Sequence, residues 1–154
     1  MAGAAHQVKR IVVGVDGSVQ AHHALQWAID LARPLRAEII ATFVFHLPAH
    51  AYDSYGFTSP LLFEDDWRGE LTSQFQQDWC APLKDSGVRY RMLVVDGQPA
   101  AAICEVAERE KAGLIVVGRR GRGGFAELLL GSVSQALTHH ARLPVVVISP
   151  APAA

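Results

Sequence analysis

Glycines, arginines and serines with the spacing of an anion-binding loop occur in one stretch near the C-terminal end of the chain. An apolar run over residues 114–117 ends at Gly118, and a new helical pattern begins at Gly131 and Ser132. The first-turn amides of a helix have no intrahelical acceptors, and the aligned peptide dipoles favour negative charge there. The stretch therefore predicts a phosphate-binding loop, which we call the glycine loop (residues 118–131).

The glycine loop also contains cations. Arg119, Arg120 and Arg122 would place guanidinium donors beside the helix amides, although Arg120 and Arg122 are equally compatible with plain solvation. Gly118 and Gly121 would let the backbone approach a phosphate without a Cβ. The loop is not a Walker A loop, because the chain contains neither Gly-Lys-Ser nor Gly-Lys-Thr.

Four positions of the glycine loop are held at fixed separations. Gly118 is followed after two residues by Gly121, and after nine more by the pair Gly131-Ser132. This spacing resembles the ATP-binding signature of the universal stress protein family, and GRRGRGGFAELLLGSVSQ (118–135) matches it throughout. The family resemblance extends over nearly the whole chain, including VKRIVVGVDGS (8–18), DGQPAAAICEVAEREKAGLIVVG (96–118) and HHARLPVVVIS (139–149).

The resemblance implies an adenine nucleotide site, position by position. Asp16 would accept hydrogen bonds from ribose or adenine, its alternative role being a helix cap. Val44 would flank the adenine and Val117 would form a wall of its pocket. The helix start after the glycine loop would offer backbone amides and two serine hydroxyls to a triphosphate. The implied residues are Gly14, Val15, Asp16, Val44, Val117, Gly118, Arg120, Gly121, Arg122, Gly131, Ser132, Val133 and Ser134.

Strand and helix patterns alternate along the chain, which at 154 residues is long enough for one domain, 1–154. Strands are predicted over 10–15, 38–46, 88–95, 114–117 and 144–148. The alternation predicts an α/β fold: an open, doubly wound, Rossmann-like sheet of five parallel strands in the order 3-2-1-4-5, with four helices. In such sheets a ligand lies outside the carboxyl ends of the strands, where the winding reverses. Asp16 and Gly118 should therefore lie side by side.

The four helices are predicted from caps and apolar periodicity. Ser18 should cap the first, which Pro34 should end, and the second should start near Glu64 and close at Pro82 and Gly87. The other two should run from Pro99 to Glu110 and from Ser132 to Ala141. The predicted buried stripe of the second helix is Trp67, Leu71, Phe75 and Trp79. The segment 47–62 before it is too long for a routine connector, which predicts a functional flap or local disorder.

Composition limits the function classes. A net charge of −1 with half of the residues apolar argues against nucleic-acid binding. The sequence has no apolar run of 18 residues, so no membrane span is predicted. Two cysteines and no signal peptide favour reduced thiols in the cytoplasm. Adjacent histidine pairs cannot share a helix face, so no metal site is predicted.

We predict a nucleotide-binding stress-response or regulatory protein that holds ATP, with Mg²⁺ brought in by the phosphates, and not an enzyme. Two alternatives stay open. The first is a slow ATPase or ATP-using enzyme whose substrate enters under the 47–62 flap. The second is a protein whose ligand is AMP or cyclic AMP, because the adenosine contacts would be the same.

The last strand, 144–148, predicts a homodimer. It is wholly apolar, yet as the fifth strand it should lie at an edge of the sheet, where unpaired N–H and C=O groups invite association. Pairing with its twin about a two-fold axis would satisfy these groups. The family resemblance implies the same interface. The alternative is that the preceding helix and the C-terminal tail cover the edge.

Overall fold

The computed structural model describes residues 7–46, 61–121 and 130–149. Its five strands form one parallel sheet in the order β3-β2-β1-β4-β5, which confirms the predicted strand order. The strands are β1 (Arg10–Gly14), β2 (Glu38–Phe45), β3 (Tyr90–Asp96), β4 (Leu114–Gly118) and β5 (Val145–Ile148).

Five α-helices are formed by the described residues, where four were predicted. They are α1 (Val19–Leu35), α2 (Leu61–Gln74), α3 (Ala81–Lys84), α4 (Pro99–Arg109) and α5 (Ser132–His140). The difference arises at the predicted second helix, because a π-helical segment, Phe75–Trp79, separates α2 from α3. α2 begins three residues before Glu64, since acidic residues are favourable throughout a first turn and do not mark its first residue.

The interruption follows from the spacing of the apolar residues. A constant spacing of four advances about 40° per step around an α-helix, so the first and last of four such residues lie roughly 120° apart. Trp67 accordingly leaves the buried face and is 45% exposed, contrary to the predicted stripe, whereas Phe75 is fully buried. The wider π segment brings Phe75 and Trp79 onto one side, where both rings contact Phe43 at centroid distances of 5.8 and 5.4 Å.

Contrary to the prediction, neither Pro34 nor Pro82 ends a helix. Pro34 lies inside the last turn of α1, and the helix continues to Leu35 before Arg36 adopts a left-handed conformation with φ 53°. A proline so near the C-terminus removes one hydrogen bond without breaking the remaining turn. Pro82 likewise lies in the first turn of α3, where its missing N–H would have had no helical partner anyway.

Helices cover both faces of the sheet, which explains why β1 and β4 are almost continuously apolar. On one face α1 packs through Ala24 and Leu25, together with Phe75 from the π segment. On the other face α4 and α5 pack through Ile103 and Leu137. Ser18 caps α1 as predicted, with the Ala21 N–H donating to its Oγ at 3.1 Å.

An ion-pair network joins β1, β2, β3 and the C-terminal end of α4 at the amino end of the sheet. Arg91 donates from Nε to Glu38 at 2.8 Å and from its terminal nitrogen to Glu110 at 2.6 Å. The hydrogen bond from Arg91 holds the pKa of the Glu110 carboxyl below its ordinary value. Arg10 adds a contact of 3.3 Å to Glu38. The network lies at the opposite end of the strands from the predicted ligand site.

Candidate functional site

A cavity of about 410 Å³ opens at the carboxyl ends of β1, β2 and β4. Twelve of the thirteen predicted site residues line it, and Arg122 lies outside the described residues. The predicted residues at the cavity are Gly14, Val15, Asp16, Val44, Val117, Gly118, Arg120, Gly121, Gly131, Ser132, Val133 and Ser134. Topology brings them together, because β1 and β4 are neighbours whose connections cover opposite faces of the sheet.

Asp16 lies where β1 ends and directly faces the glycine loop. Its Oδ1 accepts a hydrogen bond from the Ser18 N–H at 2.9 Å, which fixes the turn into α1. Its Oδ2 points toward Gly121, where an added Cβ would lie only 2.3 Å away. Asp16 therefore holds the turn that leads into α1 and also borders the cavity, whereas the helix cap, its alternative role from the sequence, is Ser18.

The packing of the protein itself favours glycine at both ends of the glycine loop. A Cβ on Gly118 would lie 2.9 Å from the backbone carbonyl carbon of Gln20, in the first turn of α1. A Cβ on Gly131 would lie 3.2 Å from both the Arg119 oxygen and the Arg120 Cα. Neither Gly118 nor Gly121 has a positive φ. At Gly118 the limited space, and not the backbone conformation, therefore demands glycine.

Hydrogen bonds hold the two ends of the glycine loop together. The Arg119 carbonyl accepts from the Gly131 N–H at 2.8 Å and from the Ser134 hydroxyl at 2.7 Å. The Arg120 N–H donates to the Gln20 side-chain oxygen at 2.7 Å. The amide of Gly131 and the hydroxyl of Ser134 thus donate to the protein itself, whereas the sequence predicted that both would face a phosphate.

The helix start beyond the loop has no cap from its own N-cap residue. Gly131 has no side chain, and the first-turn amides of α5 belong to Ser132, Val133 and Ser134. Ser132 is exposed, so its hydroxyl is also accessible from the cavity. These amides carry the positive end of the helix dipole.

Two arginines line the same cavity, and each has a buried Nε. The Nε atoms of Arg119 and Arg120 are buried, and neither has a hydrogen-bond partner within the part of the chain that the structure describes. A buried donor without an acceptor costs about 1–3 kcal/mol. Both residues line the cavity beside the start of α5. The arrangement of guanidinium and backbone donors can bind a polyanion.

Eight residues that line the cavity were not predicted from the sequence: Ser18, Ala21, Thr42, Phe43, His46, Leu71, Pro99 and Ile103. Arg119, which was predicted as a cation of the glycine loop, lines the cavity as well. For Thr42 and Phe43 a signal existed, since both lie near the carboxyl end of a strand that belongs to the sheet interior. Leu71 had no such signal. It reaches the cavity because α2 lies over the ends of β2 and β3, where Arg68 pairs with both carboxylate oxygens of Asp96.

Other chemistry has little support in the described residues. They contain no group of three or more His, Cys, Asp or Glu side chains that could hold a metal ion. Cys80 and Cys104 are free thiols, and burial raises the pKa of Cys80 to about 12, so that it is no nucleophile at neutral pH. Across the same residues no helix is both long and apolar enough to cross a bilayer.

The sequence as a whole matches one family. The model of the universal stress protein family matches residues 7–149. The chain belongs to the universal stress protein family. The resemblance found from the glycine spacing is thereby confirmed. A universal stress protein of Methanocaldococcus jannaschii, MJ0531, is 33% identical over 147 residues, which cover 91% of this chain and 81% of that relative.

Solved structures agree with the fold of this universal stress protein. The hypothetical protein MJ0577 superposes with a TM-score of 0.79 at 24% identity, over 96% of this chain and 99% of that one, and shows the fold. A universal stress protein in complex with cAMP superposes with a TM-score of 0.61 at 26% identity. That match covers 91% of this chain and 95% of the other.

Proposed function

We propose that this universal stress protein binds an adenine nucleotide, ATP, in the cavity at the carboxyl ends of the strands, and acts as a stress-response or regulatory module. The observation that carries the proposal is that two arginines, Arg119 and Arg120, line the same cavity as the start of α5. Guanidinium groups and first-turn amides together place positive charge where an anion would bind. The cAMP complex of a relative supports an adenine nucleotide as its source.

In the proposed complex the phosphates lie between Arg119, Arg120 and the first-turn amides of α5. Asp16 receives hydrogen bonds from the ribose hydroxyls, and Val44 and Val117 flank the base. The phosphates would carry Mg²⁺ with them, since this ion keeps several waters and takes only one or two protein carboxylates. Asp16 is the carboxylate that the described lining of the cavity offers.

We propose that the protein is not an enzyme. Fast hydrolysis of ATP needs a positioned water and a base aligned with the γ-phosphate. Among the described lining residues the candidate bases are Asp16 and His46, but one oxygen of Asp16 binds the Ser18 N–H and His46 is exposed. The alternative is a slow ATPase or ATP-using enzyme. A turnover of about 1 per second or more, the lower end for ordinary enzymes, would favour it.

AMP and cyclic AMP remain the competing ligands, because the adenosine contacts would be shared and a relative is known in complex with cAMP. The donors at Arg119, Arg120 and α5 distinguish the cases. A triphosphate uses all of them, whereas a monophosphate reaches only part of the set. ATP should therefore bind more tightly than AMP, and neutralising both arginines should reduce this difference.

The decisive experiment is mass spectrometry of the nucleotide released from natively purified protein, followed by calorimetric titration with ATP, AMP and cAMP. We expect ATP in the released fraction. The variant R119Q/R120Q should lose most of the preference for ATP over AMP. Arg36→Gln, an exposed arginine at the opposite end of α1, is the matched control. A wild-type protein that binds none of the three nucleotides would overturn the proposal.

We also propose a homodimer that pairs β5 with its twin. β5 is the last strand of the sheet, and its residues Val145–Ile148 remain half-buried although all four are apolar. A second copy would satisfy the outer row of backbone groups and cover these side chains. A cytoplasmic location is proposed as well, on the ground that two free thiols are typical of reducing compartments.

A further inference from the structure

The peptide unit between Arg119 and Arg120 is held on both sides by contacts of the protein. Its carbonyl, on Arg119, accepts from the Gly131 N–H at 2.8 Å and from the Ser134 hydroxyl at 2.7 Å. Its N–H, on Arg120, donates to the side-chain oxygen of Gln20 at 2.7 Å. Because the carbonyl and the N–H of a trans peptide point in opposite directions, these contacts together fix the plane of the unit.

Gln20 reaches this peptide unit from another element, the first turn of α1. It precedes Arg120 by 100 residues, and a Cβ on Gly118 would lie 2.9 Å from its carbonyl carbon, so this turn packs closely against the start of the glycine loop. Ser18 and Ala21 of the same region line the cavity, whereas Gln20 is not among the described lining residues. Gln20 is therefore placed to hold the loop and not to touch a ligand.

We infer that Gln20 is a positioning residue for the phosphate half of the proposed nucleotide site. The inference rests on the proposed function. By holding the Arg120 N–H, Gln20 fixes the backbone that carries the two arginines of the cavity lining, Arg119 and Arg120. Long cationic side chains bind a polyanion more tightly when their backbone is already ordered, because ordering a loop during binding costs affinity.

Loss of the Gln20 oxygen would release the peptide unit on one side. Arg120 is half-buried, so its N–H would be left without its acceptor where access to water is limited. Rotation of the unit toward another acceptor would also turn the Arg119 carbonyl away from Gly131 and Ser134, at the start of α5. One side chain of α1 therefore controls how the two anion-binding parts, the arginines and the start of α5, lie relative to each other.

The nucleoside half of the proposed site does not need this control. Val44 and Val117 lie on β2 and β4, which are held in place by the sheet itself. A glutamine that contributed only to stability would leave the ratio of triphosphate affinity to nucleoside affinity unchanged. A glutamine that positions the phosphate half lowers this ratio when it is lost, since the triphosphate alone meets the arginines and the start of α5.

The test compares ATP with adenosine by calorimetric titration, in which adenosine is measured by its competition with ATP. Gln20→Met keeps the length and helix propensity of the side chain but offers only a weak acceptor. ATP affinity should fall about tenfold, the size expected for one hydrogen bond, and adenosine affinity should stay within about twofold. Gln20→Asn, one methylene shorter, should act in the same way. Gln26→Met, the same change at an exposed position of α1, is the control and should alter neither affinity.

Hydrogen exchange of the Arg120 amide, resolved by NMR, measures the contact without any nucleotide. Exchange should be about tenfold faster in Gln20→Met, and Gln20→Glu, which keeps an acceptor of the same length, should keep it slow. If wild type binds ATP but Gln20→Met binds it equally well, or loses adenosine affinity to the same extent, the positioning role is refuted and the proposed function stands. A wild-type protein that binds neither ATP nor adenosine refutes the proposed function, and the inference with it.

Discussion

Substitution by alanine should affect different properties at Gly118 and at Gly121, the two glycines at the start of the glycine loop. Alanine at Gly118 is expected to destabilise the fold, whereas alanine at Gly121 is expected to spare the fold and weaken nucleotide binding. The contrast follows from what each added Cβ would meet. The Cβ at position 118 meets backbone, and the Cβ at position 121 meets the end of a side chain.

At Gly118 the obstacle is the first turn of α1. The added Cβ would lie 2.9 Å from the Gln20 carbonyl carbon and 3.0 Å from its oxygen, so β4 or α1 must move. Overpacking of this kind typically costs about 1–3 kcal/mol of unfolding free energy. For a chain of this length each kcal/mol lowers the melting temperature by roughly 2–4 °C, so Gly118→Ala should melt about 2–12 °C below wild type.

At Gly121 the obstacle is the Asp16 carboxylate. The added Cβ would lie 2.3 Å from Oδ2, which can rotate away because it is the tip of a side chain. Residue 121 is exposed, and the move would disturb only the hydrogen bond that Asp16 accepts from the Ser18 N–H, so the free energy of unfolding should fall by no more than about 1 kcal/mol. The carboxylate would, however, leave its position beside the cavity. Losing a charge-assisted hydrogen bond to the ligand costs about 1.5–3 kcal/mol, or one to two decades in affinity.

Urea denaturation and calorimetric titration with ATP measure the two effects separately. Gly69→Ala is the control, since Gly69 is exposed in α2 with nothing within 4 Å of an added Cβ. It should gain up to about 1 kcal/mol of stability from helix propensity and bind ATP unchanged. A Gly118→Ala protein as stable as wild type would refute the packing argument. A Gly121→Ala protein with wild-type affinity would refute the assignment of Asp16 and Gly121 to the site.

Three further predictions concern other parts of the molecule. Asp16→Ala should weaken ATP binding by about 1.5–3 kcal/mol in calorimetric titration, and an unchanged affinity would reduce Asp16 to its turn role. Val146→Lys should convert a dimer into a monomer in light scattering, because it places a charge on the apolar edge strand; a wild type that is already monomeric at micromolar concentration would contradict the proposed interface. Arg91→Gln should flatten the acid dependence of stability. The pKa of Glu110 is lowered in the folded state by its hydrogen bond from Arg91, so this contribution is complete above about pH 4 and is lost as the pH falls further. The free energy of unfolding, measured by urea denaturation between pH 7 and pH 3, would fall equally in wild type and Arg91→Gln if the network contributes nothing.

The strand order was predictable because apolar continuity and alternation are local properties of the sequence. β1 is uninterrupted and central, whereas β3 contains the charged Arg91 within it and lies at an edge. The second helix was mispredicted for an equally physical reason. Apolar residues spaced by four stay on one face of an α-helix over two turns but not over four. Whether the helix continues or forms a π segment depends on contacts with Phe43, which lies on β2, far away in the sequence.

The candidate site was predictable as a set of positions, because the glycine spacing and the topology of the sheet indicate the same place. The function of individual atoms was not. Nothing in the sequence of the glycine loop indicates that the Arg119 carbonyl accepts hydrogen bonds from both Gly131 and Ser134. Leu71 was missed because its access to the cavity depends on how α2 packs over the sheet.

Because the Gly131 N–H and the Ser134 hydroxyl both bind the Arg119 carbonyl, the ends of the glycine loop are joined by contacts of the protein alone. The entropy of closing a loop grows slowly with its length, and doubling the length adds only about 0.6 kcal/mol. The fold should therefore accept loops of other lengths between these anchors. In the proposed nucleotide complex, the number of residues between Gly121 and Gly131 would then be a requirement of ligand binding and not of folding. Length variants of this segment would adjust ligand affinity and selectivity almost independently of stability, which makes it the natural place to re-engineer the protein.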